Sequence, residues 1–392
     1  MSTLLLLPNQ EESWASVKLV CDYTIKQARA LYGNLDIYYV RRDEVFKNAK
    51  SFMKYEKIIC LDHCVESFKL LALLKSLLKD DLVIEFYALG MASSYYWPLI
   101  KFGLARHLST KDKFVVSCFR DIELTRQCFS NVQVELRPFE IRPRDELRPA
   151  NKQRLVYIGR LSFQKNLHGL LLFFSHYKKS HPGAVLELFG DWDNLDLPYF
   201  EMKMSSYKDY ILDLVNQLGL SDEVIFHGPK TEEQIDQLMQ EGSLTFISLS
   251  LQTDENFGIA AYKALSFGHR AILSNWGGHA QLKELFGESV YLVQSAVSKN
   301  GPGLVLKNEA HYIIPELGAL DIGASKIVIS DFAQNFCKRR DQFMELKSGD
   351  VIYRNFKDPI FLNFCLSYSG TSEFYTDEDI VEIYDCPQLF VD

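Results

Sequence analysis

Residues 155–166 read Leu-Val-Tyr-Ile-Gly-Arg-Leu-Ser-Phe-Gln-Lys-Asn. Four strand-forming residues run into Gly159, and an apolar helical period begins at Leu167. A glycine at a strand end lets the chain turn tightly. Beyond it, Arg160 and Lys165 share one loop. Two cations so placed can converge on one polyanion, the guanidinium as a fork and the ammonium as a point charge, and a diphosphate is the obvious candidate. The plainer account of the same residues is that both cations solvate a loop ahead of a helix.

The pattern continues in both directions. Downstream, short apolar runs at 185–189, 223–227, 244–248, 271–274 and 290–293 alternate with helix-period segments. Upstream, the same alternation gives strands at 3–7, 35–39, 57–61, 82–86, 114–117 and 132–136, with helices over 14–32, 65–78 and 122–129. This is the signature of βα units and a mainly parallel sheet. Between the two arrays, the Pro/Arg-rich residues 137–149 break all periodicity, as an interdomain connection does. The expected fold is α/β, with two facing Rossmann-like, doubly wound domains, a mainly parallel sheet in each. The N-terminal domain spans 1–140, a linker 141–152, the C-terminal domain 153–322, and a C-terminal extension 323–392 packs back across them. That extension reads as helical over 331–347 and turns acidic at Asp377-Glu378-Asp379. In such sheets ligands bind outside the carboxyl ends of the strands.

Composition bounds the function classes. The chain has 392 residues, 47 % hydrophobic, enough for two cores of ordinary size and not a disordered chain. Its eight cysteines form no Cys-x-x-Cys pair, so neither a zinc ribbon nor a thioredoxin-like site is expected, and reduced thiols in a cytoplasmic protein are. The run Leu4 to Leu7 is too short for a signal peptide or a membrane span. Net charge is −8, with a mildly basic first 150 residues and an acidic remainder. No Lys/Arg stripe interleaves with aromatics, which argues against nucleic acid as a partner.

Two more loops carry chemistry. In the segment that starts at Thr253, Glu255-Asn256-Phe257-Gly258 precedes a helix that Gly268 closes. Free backbone N–H groups at that helix start favour phosphate, while Glu255 either caps the helix or accepts hydrogen bonds from sugar hydroxyls. Next, the strand at 271–274 runs into Asn275-Trp276-Gly277-Gly278-His279, a paired-glycine loop where backbone could approach a ligand closely.

Taken together and in this order, these segments resemble the C-terminal domain of the GT-B glycosyltransferases, and within them the retaining family 4 group that uses nucleotide-sugar donors. The family's Gly-Arg-Leu and Lys-Asn element stands here as Gly159-Arg160-Leu161 with Lys165-Asn166, and its Phe-x-Gly element as Phe226-His227-Gly228-Pro229. Its acidic turn is Glu255-Asn256-Phe257-Gly258, and its glycine pair is Gly277-Gly278. The likeness covers about residues 153–295. It implies that Arg160 and Lys165 neutralise the donor diphosphate as the glycosidic bond breaks, a form of transition-state charge stabilisation. The helix after Gly258 would add its dipole, Glu255 would position the transferred sugar, and Gly228 and Pro229 would lie near the nucleotide base. Neither a metal nor a cofactor is then expected.

Three positions depart from the family pattern. The second Glu of the acidic motif is replaced by Lys263, whose ammonium has no acceptor for ribose hydroxyls; it could donate to a ribose oxygen, pair with Glu255, or meet extra negative charge on an unusual donor. The first loop reads Pro8-Asn9-Gln10-Glu11-Glu12-Ser13 in place of a glycine pair, and Tyr87 stands where the family often has a histidine. On the acceptor side the candidates are Glu11, Asp62, His63 and Tyr87, with a structural turn the alternative for Asp62-His63. The aromatic-rich residues 94–107 read either as a core helix or as a peripheral membrane contact through Trp97, Leu99, Ile100 and Phe102 at the inner face of the membrane. The resemblance thus implies a metal-independent retaining glycosyltransferase of cell-envelope polysaccharide biosynthesis, acting on a glycan or lipid-linked acceptor. A non-catalytic relative that binds a sugar nucleotide or glycan as a partner subunit, and a nucleotide-sugar epimerase or a phosphorylase on the same scaffold, remain open beside it.

Overall fold

The computed structural model describes residues 2–304 apart from 10–14, 43, 89–102, 119–120, 123–124, 127–128, 130, 138, 140–146, 194–205, 252–254, 256 and 299–300. The described residues fall into two compact units, one holding those up to Phe139 and the other those from Leu147 onward.

The first unit is built from β1 (Thr3–Pro8), α1 (Ala15–Tyr32), β2 (Asp36–Val40), a single turn α2 (Ala49–Phe52), β3 (Lys57–Cys60), α3 (Val65–Leu78), β4 (Val83–Tyr87), β5 (Lys113–Val116) and β6 (Gln133–Leu136). Its six strands are parallel in the order β2-β1-β3-β4-β5-β6. The four-leucine run of β1 lies inside this sheet with both faces covered, which is why it is continuous and not alternating. On one face Leu5, Leu7, Ile59 and Val115 pack against Cys21 and Ala28 of α1.

The second unit runs β7 (Arg154–Ile158), α4 (Leu167–Ser180), β8 (Val185–Phe189), α5 (Tyr207–Gln217), β9 (Val224–Gly228), α6 (Glu232–Gln240), β10 (Thr245–Ser248), α7 (Ile259–Ser266), β11 (Arg270–Ser274), α8 (Gly277–Phe286) and β12 (Val290–Val293). An antiparallel pair, β13 (Ser295–Ser298) and β14 (Gly301–Leu304), follows. The main sheet is parallel with the order β12-β11-β10-β7-β8-β9. Local sequence sets the helix starts: Thr231 and Gln234 form a capping box at α6, and the Ser206 hydroxyl accepts from the Asp209 N–H at α5. One core cluster joins Val156, Phe246 and Leu273 of the sheet to Ala264, Leu265, Leu282 and Phe286 of α7 and α8.

That strand order fixes where a site can form. From β7 the chain winds outward through β8 and β9, then returns to place β10 on the other side of β7 and winds the opposite way. The loops leaving β7 and β10 therefore diverge, and the gap between their carboxyl ends is the switch point at which such sheets bind ligands.

Several sequence readings lie outside the described residues: Glu11, Asn256, residues 94–102, the helix at 331–347 and the acidic tail. From Gly103 the chain makes a 3-10 turn, Leu104–Arg106, with Leu104 buried. Among the described residues, no helix is long and apolar enough to cross a membrane.

Candidate functional site

The switch point of the second unit gathers the residues singled out from sequence, and local packing shows how each is held. Gly159 ends β7 with its N–H on the Phe189 carbonyl. Its own carbonyl lies against Gly190, where a Cβ would stand 1.8 Å from the Gly159 oxygen, so no larger residue than glycine fits at 190. The Tyr157 hydroxyl donates to the Arg160 carbonyl at 2.8 Å and fixes the loop from below. Residues Phe163–Lys165 then form a 3-10 turn. Asn166, in the left-handed region at φ 52°, ties that turn to the β10 side by donating to the Leu249 carbonyl at 2.8 Å.

The two loop cations go to two different carboxylates. Lys165 Nζ reaches Glu255 Oε2 at 2.7 Å, joining the loops after β7 and β10. Arg160 pairs with Asp193 at 3.1 Å. Asp193 comes within reach because Leu161 extends the pairing of β7 and β8, donating to the Asp191 carbonyl and accepting from the Asp193 N–H.

Glu255 is the centre of the arrangement. It is 7 % exposed, and its carbonyl accepts the Gly278 N–H at 2.7 Å. Burial alone would raise its carboxyl. The Lys165 ammonium, with hydrogen bonds from Lys165 and Ser250, and the His279 charge once acid protonates that ring, outweigh burial and hold it at about 2. Gly258 caps α7 at φ 69°, a conformation that favours glycine, and a Cβ there would meet the His279 ring at 2.7 Å. Phe257 is buried and meets Tyr262 edge-on at 4.8 Å, so it anchors the turn from within the core.

His279, Ser250, Ser274, Asp193 and Tyr157 are the members that sequence reasoning did not assign. For His279 a signal existed in its place immediately after the glycine pair. Burial, reinforced by the Lys165 charge, pushes the His279 pKa below its ordinary value against the pull of Glu255. Its Nδ1 lies 3.1 Å from Ser274 Oγ and its Nε2 3.8 Å from Glu255 Oε1.

Two expectations for this unit are corrected. Gly277 and Gly278 do not form a loop: they open α8 after an extended Trp276, and their part is to bring the Gly278 N–H to Glu255. Lys263 neither pairs with Glu255 nor faces the switch point through a free ammonium. It is clasped by Glu232 at 2.6 Å and Asp236 at 2.7 Å, both on α6. Burial opposes its charge, but these carboxylates outweigh burial and raise its pKa. Gly228 accepts the Gly190 N–H at 3.0 Å and turns at φ 70°, with Pro229 exposed beyond it.

The described acceptor-side candidates, Asp62, His63 and Tyr87, are held inside the first unit. Asp62 accepts from the Cys64 N–H at 3.0 Å and the Ser67 hydroxyl at 2.7 Å, fastening the start of α3. His63 Nε2 bonds the Tyr87 carbonyl at 2.8 Å, and its ring stacks on Phe86. A nitrogen facing a carbonyl must carry the proton, so that nitrogen is no base. Tyr87 is buried, which pushes its phenol well above the ordinary value, and its oxygen accepts from Arg137 at 2.7 Å. Arg137 also bonds the buried Glu85, to which Lys57 and Tyr32 turn as well. Among the described residues, no group of three His, Cys, Asp or Glu is placed to hold a metal ion.

Comparison with known proteins gives a family match and a fold. Residues 139–294 match the family of glycosyl transferases group 1. An uncharacterized glycosyltransferase of Methanocaldococcus jannaschii is 26 % identical over 128 residues, a match that spans 33 % of this chain and only 28 % of that relative. Among solved structures, Anabaena HepE in complex with UDP and glucose aligns with a TM-score of 0.53 at 14 % identity, over 94 % of this chain and 97 % of HepE. The lipopolysaccharide outer core galactosyltransferase WaaB, in its apo form, aligns with a TM-score of 0.52 at 14 % identity, over 94 % and 99 %. At such identities the likeness is one of fold. Residues 139–294 thus carry a match to the glycosyl transferases group 1 family, in a chain of the GT-B fold.

Proposed function

We propose that this protein is a retaining glycosyltransferase whose second unit holds a nucleoside diphosphate sugar and whose acceptor is a glycan or a lipid-linked sugar. The observation that carries the reading is the Lys165–Glu255 pair, which brings the cationic loop of β7 and the acidic loop of β10 together at the switch point. When the sugar departs, negative charge grows on the diphosphate. Arg160 and Lys165 would stabilise that charge on groups oriented beforehand, with the start of α7 adding its dipole. Glu255, ionised and buried, would accept hydrogen bonds from the sugar. With two cations and a helix start at the diphosphate, the step is proposed to need no metal, and the departing phosphate to help take the acceptor's proton on the same face. HepE holds UDP and glucose and WaaB is named a galactosyltransferase, which supports a hexose donor here. A cytoplasmic protein with peripheral membrane contact through residues 94–107 would suit such an acceptor.

Titration calorimetry with UDP, GDP and ADP tests the reading. Arg160→Ala and Lys165→Ala should each weaken nucleotide binding by about 1.5–3 kcal/mol, the scale of a charged hydrogen bond. Parent-like binding of all three nucleotides by both variants would refute it. The clasp of Lys263 by α6, which leaves the family's ribose contact unmade, favours a second reading as a non-catalytic sugar-nucleotide-binding subunit. Release of nucleotide from a panel of donors in the presence of cell-envelope extract excludes that alternative; binding without turnover supports it.

A further inference from the structure

His279 has no role in the reading above, yet it is 2 % exposed and stands beside the group that would read the sugar. Its proton can be located from its neighbours. Ser274 has one hydroxyl hydrogen, and because the Ser250 carbonyl oxygen 2.6 Å away can only accept, that hydrogen must lie between the two oxygens. Towards His279, Ser274 Oγ is therefore an acceptor, and the Nδ1 that it meets at 3.1 Å carries the N–H. In a neutral ring the other nitrogen, Nε2, is then a bare lone pair. The charged groups that face the ring are Glu255, from the loop after β10, and Lys165, from the loop after β7.

The bare Nε2 looks at Glu255 Oε1 across 3.8 Å. Two acceptors do not bond to each other, and that separation is beyond a direct hydrogen bond. It suits donors placed between them. Lys165 does not fill this role, since it sits on the other carboxylate oxygen, Oε2. Adjacent equatorial or gauche hydroxyls of a pyranose ring stand about a hydrogen-bond length apart, so each can give its hydrogen to one of these two atoms. We infer that His279 is a specificity-determining residue: its Nε2 and Glu255 Oε1 form a two-acceptor subsite for an adjacent pair of hydroxyls on the transferred sugar.

This inference rests on the donor-site reading and goes beyond it by naming the hydroxyl pair and the second acceptor. A cation at 279 would occupy Oε1 itself and close the subsite, and an apolar residue would leave one hydroxyl without an acceptor, which costs affinity. Specificity of this kind is steep, because a site built to pair polar groups rejects an analogue that leaves them unpaired.

The test compares, for the full-length protein, the affinity for a nucleotide sugar with that for its own nucleoside diphosphate, using the tightest-binding pair from a panel of UDP-, GDP- and ADP-hexoses. His279→Phe keeps a flat ring but removes both nitrogens, and it should lower the ratio of the two affinities at least tenfold. Ser274→Ala releases Nδ1 and allows the proton to move to Nε2, so it should lower the ratio as well, and it decides the matter if His279→Phe does not fold. Of the two donors that each lack one of these hydroxyls, the one lacking the hydroxyl that pairs with Nε2 should be indifferent to His279→Phe, and the other should not. A parental ratio near one, a ratio unchanged in the folded variants, or an equal loss for every deoxygenated donor would each overturn the inference. Failure of the parent to bind any nucleoside diphosphate would instead overturn the donor-site reading beneath it, so the two failures are told apart.

Discussion

Removing the Lys165 ammonium should turn Glu255 from a stabilising group into a destabilising one, and the pH dependence of that change is diagnostic. In the parent protein the Glu255 carboxyl is lowered from 4.5 to about 2, although burial opposes the charge. At about 1.4 kcal/mol for each tenfold change in proton affinity, that difference is about 3 kcal/mol in favour of the folded state at neutral pH. Because the folded value is depressed, this stability is present above the ordinary carboxyl range and is lost as pH falls from about 4.5 towards about 2. In Lys165→Ala the buried carboxylate has lost its main partner, so burial drives its pKa upward and charging it opposes folding. The variant should be about 3 kcal/mol less stable at pH 7, and the deficit should shrink as acid protonates Glu255. Urea unfolding followed by tryptophan emission, to which Trp276, fully buried just ahead of α8, contributes, measures this from pH 7 down to the acid limb. Adding Glu255→Gln should restore most of the loss at pH 7. A deficit independent of pH, unrelieved by Glu255→Gln, would refute the argument that the ammonium holds the carboxylate.

Three further outcomes follow from contacts elsewhere. Asp193→Asn removes from Arg160 a partly exposed pair worth about 1 kcal/mol or less, so nucleoside diphosphate affinity by calorimetry should rise up to a few-fold and become more sensitive to salt. Lys75→Met leaves Asp112 buried without its ion pair at 2.8 Å, and thermal or urea unfolding of the first unit should show a loss of about 3–5 kcal/mol. Lys263→Ala removes the clasp on Glu232 and Asp236 and should lower the stability of the second unit by about 1 kcal/mol; a larger effect on nucleotide affinity than on unfolding would mean that the side chain turns to the donor.

What was legible in the sequence is what local order determines. A strand, a glycine, two cations and a helix within a dozen residues define the loop after β7, and the turn Glu255 to Gly258 ahead of α7 is equally local. The partners were not legible, because they come from separate elements: Lys165 and Glu255 lie 90 residues apart, and Asp193 reaches Arg160 only through the extended pairing of Leu161 with Trp192. The glycine pair reads as a loop because glycine lets backbone approach a ligand closely, whereas in the structure tertiary contact at Glu255 holds the first turn of α8. Lys263 was assigned by its distance along the chain from Glu255. Only from Ile259 are those eight residues helical, and the ammonium follows the acidic face of α6.

The two ion pairs at the switch point also differ in what a ligand can do to them. Arg160 and Asp193 are 23 % and 20 % exposed at the side chain, so water already competes for the pair and an entering diphosphate can take the guanidinium at little cost. Glu255 is only 9 % exposed, and separating it from Lys165 would leave a buried carboxylate uncompensated. An ammonium has three donors, and one held by Glu255 leaves two for phosphate oxygens. In the proposed donor site, Arg160 would therefore change partner on binding while Lys165 would keep its carboxylate and add the phosphate. The same cation would then neutralise the leaving group and fix the residue proposed to read the sugar. Its removal should therefore cost sugar discrimination as well as diphosphate affinity, whereas removal of Arg160 should cost only the second.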